Sequence, residues 1–331
     1  MRIGLTLVLL FLALPSFAFD LNKVKIISAE KLDYKDGNST LIGDVKIQLG
    51  DYFLTAPKVI IDSNDEGKPH LAKFFEDVTL ESKDLTITAP EMHIDLINTK
   101  FKCFSGPDAI VQTNITDKKG KGAVVMADYQ EFDYNTGFAK ASAADANSAN
   151  DTLYKNSLNK VIFLHDKLQI ESKHIEMQTE NKKVEFIDFF EEAVAVDEKQ
   201  RTEAEHIMFF PDQDLIKAEN EVKIVYADKE PAFIFSDMVI FEKAKRILSA
   251  FSKANEPRSK IYRKDSYGQA RQIVLNLDKD LKPDNAILTG RSYSQLADKA
   301  LMGHELLFDI KKQKLKTLVG RPKTLLFSSN K

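Results

Sequence analysis

Cysteine occurs once in this 331-residue chain, at Cys103. No internal disulfide can form, so the fold must rest on burial and backbone hydrogen bonds. Long apolar runs are missing after the first twenty residues, and no later segment approaches the ~20 residues that a membrane-crossing helix needs. Charge of one sign is nowhere concentrated. The net charge is −3 with both signs interspersed, which excludes the basic stripe that nucleic-acid binding requires. Sustained 3.6-residue periodicity is hard to find beyond residue 20. Recognisable catalytic constellations are missing as well. His70, His93, His165, His174, His206 and His304 show no metal-ligand spacing and are expected to face solvent from strands. The acidic pairs Glu191-Glu192 and Glu203/Glu205 carry no sign of converging in a cleft, and Gly120-Lys121-Gly122 lacks the context of a phosphate loop. No enzyme activity, metal or cofactor is therefore expected. Cys103 itself lies in the strand-like run Lys100 to Phe104 and is expected to be a buried small hydrophobe.

The N-terminus reads as a leader. Arg2 supplies a positive start, Leu5 to Leu14 an apolar stretch, and Ser16 with Ala18 the small residues of a signal-peptidase site. Residues 1–18 are expected to be a signal peptide and the remainder to be exported; an uncleaved leader would instead anchor the chain. No cysteine follows the apolar stretch, which argues against a lipoprotein anchor.

Alternation dominates the rest. Lys25-Ile26-Ile27, Leu41 to Ile47, Val78-Thr79-Leu80, Leu85-Thr86-Ile87 and Val222 to Tyr226 are short period-2 runs rich in β-branched and aromatic residues. Turn signals separate them at Asp36-Gly37-Asn38, Asn64 to Gly67, Asn135-Thr136-Gly137, Pro211 to Asp214 and Pro283-Asp284-Asn285. The chain is expected to be all-β.

A degenerate repeat organises these strands. Small residues stand at Ala29, Ala56, Ala89, Ala127, Ser172, Ala204, Ser236, Ala270 and Gly303, at intervals of 27, 33, 38, 45, 32, 32, 34 and 33. Three residues later come Leu32, Val59, Met92, Gln130, Ile175, Ile207, Val239, Ile273 and Leu306; five later come Tyr34, Ile61, Ile94, Phe132, Met177, Phe209, Phe241, Leu275 and Phe308. Only Gln130 departs from the apolar rule. Two residues before the small one the chain is again mostly apolar. In a flat strand these two sets would face opposite sides. Both can point inward only if the pleat slips at a β-bulge or corner, where a small side chain lets backbones approach and Pro57 and Pro90 remove an N–H. Each repeat thus reads as two strands joined by a corner, one in each of two facing sheets. A companion signal recurs before each corner: an acidic or small turn residue ahead of an apolar-x-apolar strand, as in Gly43-Asp44-Val45, Glu76-Asp77-Val78, Glu192-Ala193-Val194 and Glu221-Val222. Val45 and Val78 precede their corner alanines by 11 residues, and Val194 precedes Ala204 by 10. Two stretches interrupt the pattern, Ala141 to Lys160 and Ser252 to Gly268, and both read as loops.

The segments Ile27 to Tyr34, Leu41 to Ile47 and Leu54 to Asp62 resemble the OstA-like repeat of the periplasmic lipopolysaccharide-transport proteins LptA and LptC and of the N-terminal domain of LptD. Gly303 to Asp309, with Leu318 to Pro322, is similar to the end of such modules. The resemblance implies an extended, incompletely closed β-jellyroll whose edges pair with neighbouring jellyrolls, forming a trough for lipid acyl chains. Together with the leader, it divides the chain into a signal peptide (1–18), jellyroll repeats over 19–140, a loop or linker over 141–160 and further repeats over 161–331, expected to be continuous with the first set. It implies a periplasmic bridge protein that binds a lipopolysaccharide-like glycolipid during export to the outer membrane, in contact with other jellyroll proteins of the bridge and with itself. The chain is longer than a typical bridge protein of that family, and it lacks a C-terminal barrel. On shared inward phase, the trough would be lined by Val45, Ile47, Val59, Ile61, Met92, Ile94, Ile207, Phe209, Val239, Phe241, Leu306 and Phe308. The competing expectation is a structural β-repeat filament or adhesin with a filled core and no lipid ligand.

Overall fold

A computed structural model describes residues 24–35, 37–116, 122–133, 136–143, 158–180, 183–210, 213–227, 230–253, 258–297, 299–319 and 323–326. The expected signal peptide and most of the expected linker (144–157) lie outside them. Among the described residues every regular element is a β-strand, as alternation and turn chemistry require. The chain separates into two compact units, 1–189 and 190–331.

The first unit contains β1 (Val24–Ser28), β2 (Lys31–Lys35), β3 (Asn38–Leu49), β4 (Tyr52–Ser63), β5 (Pro69–Glu81), β6 (Leu85–Asp95), β7 (Lys100–Phe104), β8 (Val111–Thr116), β9 (Gly122–Ala127), β10 (Tyr129–Asp133), β11 (Phe138–Ser142), β12 (Val161–His165), β13 (Leu168–Ser172) and β14 (His174–Glu180). The division between units falls inside β15 (Lys183–Val196). All pairings are antiparallel, and the long strands β3 to β6 each serve two ladders. One ladder runs from β2 through residues 38–42 of β3, 58–63 of β4, 69–75 of β5 and 91–95 of β6 to β7, β10, β11 and β14. The other runs from β1 through residues 46–49, 52–56, 78–81 and 85–89 of the same four strands to β8, β9, β12 and β13.

The second unit repeats this plan with β16 (Gln200–Phe210), β17 (Leu215–Tyr226), β18 (Ala232–Glu242), β19 (Ile247–Phe251), β20 (Ser259–Arg263), β21 (Ser266–Ala270), β22 (Gln272–Leu277), β23 (Pro283–Leu296), β24 (Lys299–Asp309), β25 (Lys314–Val319) and β26 (Lys323–Leu326). Its first ladder joins the opening half of β16, the closing half of β17 and the opening half of β18 to β20, β21, β23, β24 and β26. Its second joins the complementary halves of β16, β17 and β18 to β19, β22, β23, β24 and β25. The stretch from Ser252 to Gly268, expected as a loop, instead contains β20 and part of β21. At the start of β20 the Ser252 hydroxyl accepts the backbone N–H groups of Arg258 and Ser259, each at 2.8 Å.

Long strands change ladder at β-bulges. Ile42 pairs with Lys58 and Val45 with Ala56, so Gly43 and Asp44 stand opposite the single residue Pro57. The same two-against-one mismatch places Glu76-Asp77 opposite Pro90, Asn220-Glu221 opposite Asp237, and Gly290-Arg291 opposite His304. Both extra residues adopt left-handed backbone, with φ of 80° and 38° at Gly43-Asp44, 66° and 52° at Glu76-Asp77, and 60° and 55° at Glu191-Glu192. The corner is thus shared. The small residue lies on one strand, and the left-handed pair, which is the companion signal read from sequence, lies on its partner. Pro57 and Pro90 cost no hydrogen bond because they sit where the ladder is already interrupted. Where the corner residue is serine, its hydroxyl donates to the carbonyl two residues on: Ser172 to His174 at 3.0 Å and Ser236 to Met238 at 3.1 Å. Burial follows the slip. On β4, Leu54 and Ala56 point inward, and after the corner Val59 does. After Glu191-Glu192, Ala193 is completely buried and Val194 is 9% exposed. Counted from Ala193, the spacing to Ala204 is the same 11 residues as in the other copies.

Candidate functional site

Each unit encloses an apolar interior built from rows of register-matched side chains. In the first unit, one row crosses the strands as Leu41, Val59, Phe74, Met92, Cys103, Gln130, Ala141 and Ile175, each directly opposite the next. A second row beside it passes through Ile61, Ala72, Ile94, Phe101, Phe132, Ala139 and Met177. The other ladder supplies the row Ile47, Leu54, Leu80, Ile87, Thr113, Val125, Phe163 and Ile170. In the second unit, Ile207, Ala218, Val239, Ala250, Ile273, Leu288 and Leu306 make one row, and Phe209, Ile216, Phe241, Leu248, Leu275, Ala286 and Phe308 make its neighbour. There the two ladders approach closely: a Cβ on Gly268 would stand 2.8 Å from Leu288 of the opposite row.

The twelve residues expected to line an interior fall into two groups. Val45, Ile47, Val59, Met92 and Ile94 are buried in the first unit, and Ile207, Phe209, Val239, Phe241, Leu306 and Phe308 in the second. Ile61 is half-buried on the inward row. Sequence reasoning left out Phe74 and Phe101, which are among the largest fully buried side chains. They sit on the companion strands, so only the alternation of β5 and β7 could have found them. Cys103 is fully buried, as expected, and burial pushes its thiol well above the ordinary range.

Inward-phase residues lose their cover at the start of the first unit. Leu32 and Tyr34 occupy the same repeat positions as buried residues elsewhere, and Ile26 pairs with inward Ile47, yet they are 63%, 72% and 47% exposed. Among the described residues β1 and β2 pair with β3 alone, so their far edges carry no strand. β25 and β26 likewise pair only with β24, and Leu318 and Val319 are exposed beside them.

Most charged side chains stay on the outer faces; Asp128 is an exception, fully buried, with its carboxylate accepting the Leu158 backbone N–H at 3.2 Å. The Glu131 carboxylate takes the Tyr129 hydroxyl at 2.5 Å and the Lys140 ammonium at 3.2 Å. Burial pushes that acid up, but these two partners more than offset it and hold it below its usual value. His93 contacts Glu91 at 2.5 Å and His174 contacts Glu176 at 3.1 Å, both half-buried rather than free in solvent. His165 departs from the solvent-facing expectation, because it lies on an inward position of β12 and is buried. Among the described residues no cluster of three His, Cys, Asp or Glu side chains has metal-binding geometry.

Residues 27–183 match the family described as LptA/(LptD N-terminal domain) LPS transport protein. No curated protein matches the chain. A solved structure from Pseudomonas aeruginosa, titled as LptH, the LptA homologous periplasmic component of the conserved lipopolysaccharide transport device, is similar at 7% identity. The similarity covers 49% of this chain and 94% of that one, with a TM-score of 0.30.

Proposed function

From the match of residues 27–183 to the LptA/LptD N-terminal-domain family model of lipopolysaccharide-transport proteins, we propose that this chain is a non-enzymatic periplasmic bridge protein. In this reading its apolar interior shields the acyl chains of a lipopolysaccharide-like glycolipid while the sugar portion stays in water. The observation that supports it most is the uncovering of inward-phase residues Leu32 and Tyr34 at the edge of the first unit, which leaves an apolar interior continuous with an open end. Affinity would come from transfer of acyl CH₂ groups out of water, at about 0.8 kcal/mol each, and no covalent step is needed. The unpaired edges of β1, β2, β25 and β26 suit main-chain pairing with another jellyroll protein or a second copy.

Photo-crosslinking amino acids at Val45, Val59, Ile94, Ile207, Val239 and Phe308 in intact cells are expected to capture glycolipid, while outward Lys46 and Lys223 capture none. Labelling confined to the two lysine positions would remove the trough reading and favour a filled-core filament.

A further inference from the structure

Among the positions three and five residues after each corner, Gln130 alone is polar, and the fold buries it to 1% exposure. Thr113 is the polar member of the row on the opposite ladder, and it is buried to the same degree. The two meet: the Thr113 hydroxyl donates to Gln130 Oε1 at 2.5 Å. Gln130 Nε2 reaches the carbonyl oxygens of Val111 at 3.3 Å and Val125 at 3.2 Å. Because two carbonyls face that end of the amide, it must be the NH₂ end, and the orientation of the carboxamide is settled by its partners. Both amide hydrogens are then used. The oxygen is not saturated, since a carboxamide oxygen has two lone pairs and one hydroxyl occupies one of them.

Gln130 and Thr113 also line an apolar cavity of about 40 Å³, walled by Ile115, Phe132, Phe163, Ile175, Met177 and Ile187. A plain hydrocarbon filling this space would leave the second lone pair of the amide oxygen unused. A chain carrying a hydroxyl at that depth would donate to it. We infer that Gln130 is a specificity-determining residue of the first unit, selecting hydroxylated acyl chains over plain ones. The inference rests on the reading of the interior as a lipid trough and names the class of chain it takes.

The test is a binding titration of the purified protein with myristic acid and with a set of monohydroxymyristic acids that differ only in hydroxyl position. At least one hydroxylated isomer is expected to bind about three- to tenfold more tightly than the plain acid, the worth of one net hydrogen bond. Gln130→Leu is expected to erase the preference by weakening the hydroxylated chain and leaving or improving the plain one. Thr113→Val frees the lone pair that the hydroxyl occupies, so the oxygen keeps its capacity to accept and the preference should persist or grow. Equal binding of plain and hydroxylated chains by the unaltered protein overturns this inference and leaves the trough reading standing. An undiminished preference in Gln130→Leu does the same. Binding of neither class overturns the trough reading together with the inference.

Discussion

At the scale of single residues, the interior shows how each buried polar group is either answered or left as a cost. Gln130 and Thr113 answer one another across two ladders. Tyr226 is the opposite case. It faces the interior of the second unit at 4% exposure, and its hydroxyl has no hydrogen-bond partner. Burial, with a smaller contribution from the Asp197 charge, pushes its ionisation far above the ordinary range, so the hydroxyl stays neutral and unanswered. Leaving such a group unpaired costs on the order of 1 kcal/mol or more. Tyr226→Phe keeps the ring and its packing while removing that cost. The variant should unfold at higher denaturant concentration, a gain of about 1 kcal/mol, read from equilibrium urea curves. A loss of stability would mean that an ordered water or another group satisfies the hydroxyl.

At the scale of elements, the corner decides the architecture, and it is a backbone event. Gly43 adopts φ of 80° at no steric cost, whereas Glu76 and Asp77 hold 66° and 52° in the equivalent bend of β5. Left-handed backbone costs a residue with a Cβ roughly 1–2 kcal/mol, and glycine gives back about half of that through its unfolded-state freedom. Glu76 is exposed, so its side chain has little to lose. Glu76→Gly is therefore expected to stabilise the first unit by roughly 0.5–1 kcal/mol, measured by thermal or urea unfolding. A destabilisation would show that the glutamate contributes something beyond its strained backbone.

This corner also marks how far the sequence was legible. The inward phase of Leu54, Ala56 and Val59 is visible in the chain because burial imposes apolar character at fixed offsets. The companion pair Gly43-Asp44 or Glu76-Asp77 is visible as turn chemistry. Its left-handed geometry and its place opposite Pro57 or Pro90 are not, because register joins residues that the one-dimensional pattern keeps apart. The same limit hid Phe74 and Phe101. It also turned Ser252 to Gly268 into an expected loop, since the strands there carry polar outward residues such as Lys260 and Gln269 around few apolar ones. Gln130 stood out only as an exception. Its partner Thr113, on a different strand, gave no signal at all.

At the scale of the whole molecule, the question is what an uncovered apolar edge is for. Leu32 and Tyr34 keep the inward phase of the repeat but lack the neighbouring strand that buries their counterparts Val59 and Ile94. Exposed side chains at 63% and 72% contribute little to the stability of a lone chain, so replacing them should move unfolding by no more than about 0.5 kcal/mol. If the edge serves to continue the sheet into another molecule, the same replacements must act on association. Buried against a partner, two large apolar side chains are worth about 1.5–3 kcal/mol each. Charging them adds a desolvation cost to that loss. The double variant Leu32→Asp, Tyr34→Asp is therefore expected to fold like the parent protein while losing at least tenfold in affinity for a second copy or for a jellyroll partner, measured by sedentation-velocity or pull-down titration. Unchanged association would mean that the edge is not where chains meet, and a large loss of stability would mean that these residues close the first unit's own interior.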